Sequence, residues 1–423
     1  NTDELFEQIG VNPGDFQKQS DLAAMMEVVH HYLVKEDEAN PNNANITNVL
    51  KNATPIFDGG YTIGGLLGNG HSFVMRDAHG IRPAYYYIND EVIVAASERA
   101  AIRTTFNVGE NEVQELMPGT ALIVDDLGNY RIEKILDPKE RRACSFERIY
   151  FSRGSDEKIY RERIALGHHL SETVLERIAY DLKNTIFSYI PNTAEVAFYG
   201  LVKGMEEYLN KIKVERILSW GNDFTPDKLE EMVNRKIRQE KIAIKDVKLR
   251  TFITEDANRN EMVQHVYDIT YGTVRNNEDT LVVIDDSIVR GTTLKESIIR
   301  MLSRLSPKKI IVVSSAPQIR YPDCYGIDMS KLGDFIAFRA AIALLKERNM
   351  EHILDQVRDQ IIALEEAGNL HTENVVRQIY KPFTTLEISD KIAQLITPEG
   401  VHVPVEVIYQ TIEDLHECCP TNT

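Results

Sequence analysis

A chain of 423 residues has room for two or three domains, and 43% hydrophobic with 27% charged residues is an ordinary globular balance. A net charge of −17 excludes the broad basic face of a nucleic-acid binder, and an anionic ligand must be drawn in by a local basic site. No apolar run approaches the ~20 residues that cross a bilayer. Four cysteines in this length argue for a reducing, cytoplasmic setting without a disulfide framework.

The opening Asn1-Thr-Asp-Glu-Leu is acidic and polar, unlike a signal peptide. Leu22 to Leu33 places apolar residues at helical spacing, with Ser20-Asp21 as its cap. Asp37 to Ala44, rich in Asn and acids, reads as a loop. From Gly59 the texture changes to short strands at Tyr61–Leu67, Ser72–Arg76, Ala84–Ile88 and Val92–Ser97, with Asn69-Gly70 as a hairpin signal. An antiparallel sheet with helices packed on it follows. Asp137 to Ala143 is a charged linker containing Pro138, so 1–137 reads as one domain.

Beyond it, Ile164, Leu170, Val174, Leu175 and Ile178 mark a long amphipathic helix. Thr185–Ile190 is a strand, Pro191-Asn-Thr193 a turn and Ala194–Leu209 a helix. Lys211 to Lys241 is charged and helical, with Pro226 opening a helix. The basic loop Lys245-Asp-Val-Lys-Leu-Arg-Thr-Phe-Ile253 follows.

Leu281 to Ile284 is an apolar run without polar alternation, which suits a strand buried on both faces of a parallel sheet. Asp285 and Asp286 stand at its end, then a turn with Ser287, Arg290 and Gly291. Thr292 or Thr293 is placed to cap a helix running to Leu305. The carboxyl end of a parallel strand feeding a helix start makes an anion site, because backbone N–H groups converge there. Two acids beside such a cradle suit a ligand with phosphate at one end and hydroxyls or developing positive charge at the other, as in a ribose 5-phosphate. Lys309–Ser314 is the next strand, completing a βαβ unit. After about Leu332 helical texture dominates, with helices at Glu351–Leu364, Thr372–Tyr380 and Leu386–Leu395. This makes 346–423 a helical extension of a domain spanning 144–345.

The string Leu281 to Thr293 resembles the phosphoribosyl pyrophosphate (PRPP) motif of type I phosphoribosyltransferases, in the variant of the glutamine PRPP amidotransferases (amidophosphoribosyltransferases). The blocks Cys144-Ser-Phe-Glu-Arg-Ile-Tyr-Phe-Ser-Arg153 and Ser314-Ser-Ala-Pro-Gln-Ile-Arg-Tyr-Pro-Asp-Cys-Tyr-Gly-Ile-Asp-Met329 are similar to the same family, as are Ser72 to Pro83 and Ala96-Ser-Glu98. The resemblance implies an α/β phosphoribosyltransferase fold, preceded by part of an N-terminal-nucleophile glutaminase domain with antiparallel sheets. It implies an enzyme of purine biosynthesis that makes 5-phosphoribosylamine and pyrophosphate from PRPP and glutamine-derived ammonia, with magnesium accompanying PRPP.

Carried over by position, Ser287, Ile288, Val289, Arg290, Gly291, Thr292 and Thr293 hold the 5-phosphate. Asp285 and Asp286 act on the ribose and are the metal-side acids. Asn192, Thr193 and Ala194 form the pyrophosphate loop, Lys248 and Arg250 a lid over it, and Asp21 grips glutamine. After Phe252 the chain departs from the family pattern, leaving Arg259 as the next basic candidate. The family begins with a catalytic cysteine, whereas no Cys precedes Cys144 here. The chain is therefore expected to be N-terminally incomplete and ammonia-dependent at most, since Asn1 or Thr2 cannot replace a thiol without new geometry. Purine nucleotides are expected as inhibitors, and a homodimer or homotetramer as the assembly. The alternative is a non-catalytic sensor of PRPP or purine nucleotides on the same fold.

Some family members carry a 4Fe-4S cluster. Cys144 and Cys324 lie in the matching blocks, but Cys418-Cys419 are adjacent and chelate one cubane poorly, so free thiols are the expected state. His30-His31 and His168-His169 diverge by about 100° around a helix, so neither pair chelates one metal by itself.

Overall fold

The computed structural model describes residues 2–10, 20–41, 44–245, 267–322, 329, 331–370 and 372–420. The chain forms two compact units, one ending at Glu147 and the other running from Arg148 to Pro420.

The first unit opens with helices α1 (Thr2–Gln8), α2 (Asp21–Ala39) and α3 (Ile46–Ala53). Strands β1 (Thr62–Leu66), β2 (Ser72–Arg76), β3 (Tyr85–Ile88) and β4 (Ile93–Ala96) follow, then α4 (Arg99–Phe106). Three further strands, β5 (Gln114–Glu115), β6 (Thr120–Val124) and β7 (Tyr130–Lys134), complete it. They pair as two sheets, β1-β2-β6-β7 and β4-β3-β5, antiparallel throughout. Alternation sorts β2 by face. Phe73 and Met75 pack with Ile46 and Leu50 of α3, while Val74 joins Leu122, Tyr86 and Ile88 between the two sheets. Asn69-Gly70 turns the β1–β2 hairpin, with Gly70 at φ +88°.

The expected linker is part of this unit. Lys139 and Arg142 donate backbone hydrogen bonds to Ala78 and His79 at 2.9 and 3.0 Å, and Cys144 donates to Ile81 at 3.2 Å. The receiving loop is rigid because Arg76, fully buried, donates to the carbonyls of Gly80, Arg82 and Leu116. Asp77 accepts from the amides of His79, Ile81 and Arg82. The charges of 137–143 had hidden a strap held by its backbone and by Arg141, whose guanidinium donates to the Glu115 carboxylate at 2.8 Å.

The second unit contains α5 (Glu157–Arg177), β8 (Thr185–Tyr189), α6 (Glu195–Ser219) and α7 (Pro226–Val233). Short strands β9 (Arg238–Gln239), β10 (Ala243–Lys245) and β11 (Tyr267–Ile269) precede β12 (Thr280–Asp285). A π-helical turn, Leu294–Ile298, runs into α8 (Ile299–Ser303), followed by β13 (Lys309–Ser314). The rest is α9 (Ile336–Glu347), α10 (His352–Glu366), α11 (Arg377–Tyr380), α12 (Thr385–Ile396), β14 (Val405–Tyr409) and α13 (Ile412–Cys418). The main sheet has the order β14-β13-β12-β8-β9, every pair parallel. Both faces are covered. Leu281 and Val283 point into one apolar layer and Val282 and Ile284 into the other, all at most 1% exposed. Helices α5 and α6 touch through glycine: a Cβ on Gly167 would lie 1.8 Å from the Ala197 carbonyl oxygen.

The tail is not purely helical. Val405–Tyr409 forms the edge strand β14 beside β13, burying Val407 and Ile408 on opposite faces. The β-branched run after Pro404 carries that strand, so 346–423 completes the sheet and does not extend it. The helix expected from Thr372 begins only at Arg377.

Candidate functional site

Strands β8, β12 and β13 are neighbours, and the loops leaving their carboxyl ends lie side by side. Asp285 closes β12, and its carbonyl accepts from the Ser315 amide at 3.0 Å. The Asp286 carbonyl accepts from the Ser315 hydroxyl at 3.0 Å. Ser315, the first residue after β13, thereby holds the backbone of both acids. The Asp285 carboxylate accepts from the Asp286 amide at 2.9 Å, and the Asp286 carboxylate accepts from the Ser287 hydroxyl at 3.1 Å.

Both acids are partly buried, and neither has an arginine or lysine within ion-pair distance among the described residues. Burial, followed by the charge of Asp286, pushes the Asp285 carboxyl well above its usual range. Burial also lifts Asp286, to about 6, against the pull of the Ser287 and Thr193 hydroxyls and the charge of Arg163. The phenol of Tyr267 is raised to about 12 by burial and then by these two carboxylates. With no arginine or lysine paired to either acid among the described residues, this strand end suits a cation or a group that develops cationic character.

The loop that follows turns on Gly291, at φ +71°. Ile288 is buried beneath it, and the Val289 carbonyl accepts from the Ile336 amide at 2.8 Å. The Lys295 amide donates to the Gly291 carbonyl at 3.0 Å, starting the helix. The expected threonine cap is absent. Thr293 already has helical backbone and makes no capping bond, and the side chains of Thr292 and Thr293 are exposed. Their hydroxyls stand at a helix start, where amides without an intrahelical partner attract anions. Arg290 is half exposed, 3.7 Å from Asp334.

On the neighbouring strand, the Ile190 amide donates to the Ile284 carbonyl at 2.9 Å and delivers the turn 191–194 to the same edge. Asn192 is exposed, Thr193 partly buried and Ala194 buried. The parallel pairing of β8 with β12 sets this turn beside the acid pair, and the Thr193 hydroxyl is among the groups that pull the Asp286 carboxyl down. Behind Thr193, the hydroxyls of Tyr189 and Tyr199 each donate to the Glu195 carboxylate at 3.1 Å.

Lys248, Arg250 and Arg259 lie outside the described residues, as does Cys324. Asp21 is in the other unit, exposed as the first residue of α2. Ser20 caps that helix by accepting from the Ala23 amide at 3.2 Å. Cys144 is partly buried in the first unit, and in the second Cys418 and Cys419 are buried with Leu166 and Ala316. Burial raises both of these thiols to about 12, which favours their neutral form.

Sequence reasoning missed Ser315 and Arg163. Arg163 is 4% exposed and donates to the carbonyls of Arg148 and Ser152 at 2.8 and 2.7 Å, tying that block to α5. It had a signal: Ile159, Arg163, Leu166 and Leu170 share one helical face, so a charge stood within an apolar stripe. Ser315 stood within the family-like block from Ser314 to Met329, but its partner is a main-chain carbonyl 29 residues away, which no local pattern reveals.

No family model matches the chain. It is 26% identical over 333 residues to the amidophosphoribosyltransferase of Pseudomonas aeruginosa, covering 75% of this chain and 58% of that one. To that of Escherichia coli it is 29% identical over 280 residues, covering 63% and 48%. To that of Schizosaccharomyces pombe it is 23% identical over 425 residues, covering 95% and 63%. The chain thus spans roughly half to two thirds of the length of these relatives. Among solved structures, the glutamine PRPP amidotransferase of B. subtilis complexed with ADP and GMP superposes with a TM-score of 0.62 at 21% identity, covering 99% of this chain and 70% of that one. At that identity the superposition speaks for the fold. Along most of its length the chain is similar in sequence to amidophosphoribosyltransferases, and its fold is that of the glutamine PRPP amidotransferase.

Proposed function

We propose that the carboxyl end of the parallel sheet binds PRPP and that the chain catalyses displacement of its pyrophosphate by ammonia. The ammonia lone pair forms a bond to the ribose C1, the bond from C1 to the pyrophosphate oxygen breaks, and a proton leaves the nitrogen, giving 5-phosphoribosylamine and pyrophosphate. One observation carries this reading: the acid pair lies between two anion-type loops, 287–293 and 191–194, on adjacent parallel strands.

In this reading the amides and hydroxyls from Ser287 to Thr293 hold the 5-phosphate, and Asn192, Thr193 and Ala194 hold the pyrophosphate end. Asp285 and Asp286 hold the ribose hydroxyls and favour the cationic sugar that develops as pyrophosphate leaves. Lys248 and Arg250 are proposed to neutralise that leaving group. The donor set fits magnesium, because carboxylates and hydroxyls are the hard oxygen donors it takes, and the ion would arrive with the polyphosphate. When bound it would offset charge on the departing pyrophosphate; Asp285 and Asp286 are the residues placed to hold it.

We further read the first unit as part of a glutaminase domain, with Asp21 as the residue for the glutamine α-amino group, and the second as the transferase domain. Ammonia is the nitrogen source we propose for the transferase site. A cytoplasmic homo-oligomer inhibited by purine nucleotides completes the reading. Among the described residues, no helix is long and apolar enough to cross a membrane.

Calorimetric titration with PRPP in magnesium tests the binding site. The reading expects saturable binding that Gly291→Ala weakens at least ~10-fold, because a fixed cradle tolerates little displacement. Absence of binding by the unaltered chain would remove it.

A further inference from the structure

Outside this site, one titratable cluster stands apart. His169 lies on α5, and its Nδ1 is 3.1 Å from a carboxylate oxygen of Asp414 on α13. Glu417 follows Asp414 by three residues and so shares its helical face. One donor atom from each residue falls within 4.8 Å of the other two, and among the described residues this is the one group of three His, Cys, Asp or Glu side chains that does so.

The Asp414–His169 contact is a hydrogen bond of 3.1 Å, close to the edge of about 3.3 Å of a tetrahedron around a zinc ion with bonds of about 2.0 to 2.1 Å. Two features separate the cluster from an ordinary surface pair. Neither carboxylate has an arginine or lysine within ion-pair distance among the described residues, so two negative charges face one imidazole. Glu417 also occupies the last turn of its helix, where an acid opposes the helix dipole and contributes nothing to helix stability. The helix is meanwhile anchored by other groups: Leu415, Cys418 and Cys419 pack against Leu166 of α5.

We propose that His169, Asp414 and Glu417 form a binding site for a divalent transition-metal ion of the zinc class. One imidazole nitrogen and two carboxylate oxygens suit zinc better than magnesium or calcium, which take oxygen alone. Water completes the coordination, because the imidazole and Asp414 are each about 30% exposed. The ion bridges α5 and α13, fastening the segment that follows β14. That segment is already tied to α5 by Gln410, whose side-chain amide donates to the Leu166 carbonyl at 2.8 Å. Adjacent His168 turns to Glu207 on α6, 2.8 Å away, and takes no part.

The test uses the 423-residue chain stripped of metal by a chelator, then titrated with zinc chloride in a calorimeter. Cobalt(II) absorption provides an independent view of the coordination. One equivalent of zinc should bind, the melting temperature should rise, and cobalt should give the intense visible bands of a tetrahedral site. His169→Ala and Glu417→Gln should each weaken zinc at least ~10-fold and abolish the thermal gain. Glu417 is exposed, so its variant should melt like the metal-free unaltered chain, which keeps loss of metal distinct from loss of fold. Absence of uptake by the unaltered chain overturns the proposal. So does uptake that both variants retain at full affinity, which would place the metal elsewhere.

Discussion

The Asp286 amide donates to the Asp285 carboxylate at 2.9 Å, so the two acids are locked side by side where β12 ends. Each is held above its usual ionisation range, chiefly by burial. An arrangement that costs stability unless a ligand relieves it is a common mark of a working site.

That cost has a sign. A carboxyl whose folded pKa is raised binds protons more tightly in the folded state. Its stabilising contribution is full below the unfolded value near 4 and is lost as pH rises through the folded value, about 6 for Asp286. Asp286→Asn should therefore be more stable than the unaltered chain at pH 7.5, by about 1–3 kcal/mol, and the gain should vanish at pH 4. Urea unfolding at the two pH values measures it. The same variant should lose PRPP chemistry.

Gly291 should not tolerate a side chain. Its φ is +71°, and a Cβ there would lie 2.9 Å from the buried Ile396 side chain. Gly291→Ala should destabilise the fold by about 1–3 kcal/mol, through left-handed backbone and overpacking. Thermal unfolding reports the stability, alongside the PRPP titration.

Asp279 offers a contrast away from the site. Burial pushes its carboxyl up, but hydrogen bonds from Arg238 and Arg275 outweigh that and hold it at about 2. Its stabilising contribution is present above pH 4 and is lost as pH falls through about 2. Asp279→Ala leaves two arginines without their shared partner and should cost about 3–5 kcal/mol, as loss of one partner in a buried pair does. Equilibrium unfolding at pH 7 checks the loss.

Lys248→Ala and Arg250→Ala test the proposed lid. If these residues meet charge that grows only as pyrophosphate leaves, each variant should lower kcat by about 10²-fold with a smaller change in KM. Steady-state pyrophosphate release separates the two parameters. A rise in KM alone would assign them to ground-state binding.

The parallel strand and its acids were legible because Leu281 to Ile284 is uniformly apolar and the change to Asp-Asp is abrupt. Hairpin β1–β2 was legible from Asn69-Gly70. What escaped were features set by tertiary partners. Strand β14 sat in a helix-rich tail and exists because β13 offers it an edge. The segment 137–143 looked like a linker because its side chains are charged, yet its backbone is bonded to a loop held by buried Arg76 and Asp77. Cap chemistry misled at Thr292 and Thr293, where the helix begins without a side-chain cap. His169 was set aside beside His168 because neighbours on a helix diverge; its partner Asp414 lies 245 residues on in the chain.

The most direct measurement is pyrophosphate release from PRPP by the 423-residue chain, with magnesium and ammonium chloride. The account predicts release that depends on ammonium and that Asp285→Asn abolishes. Saturable PRPP binding without any release would contradict it, and would make the strand-end site that of a sensor.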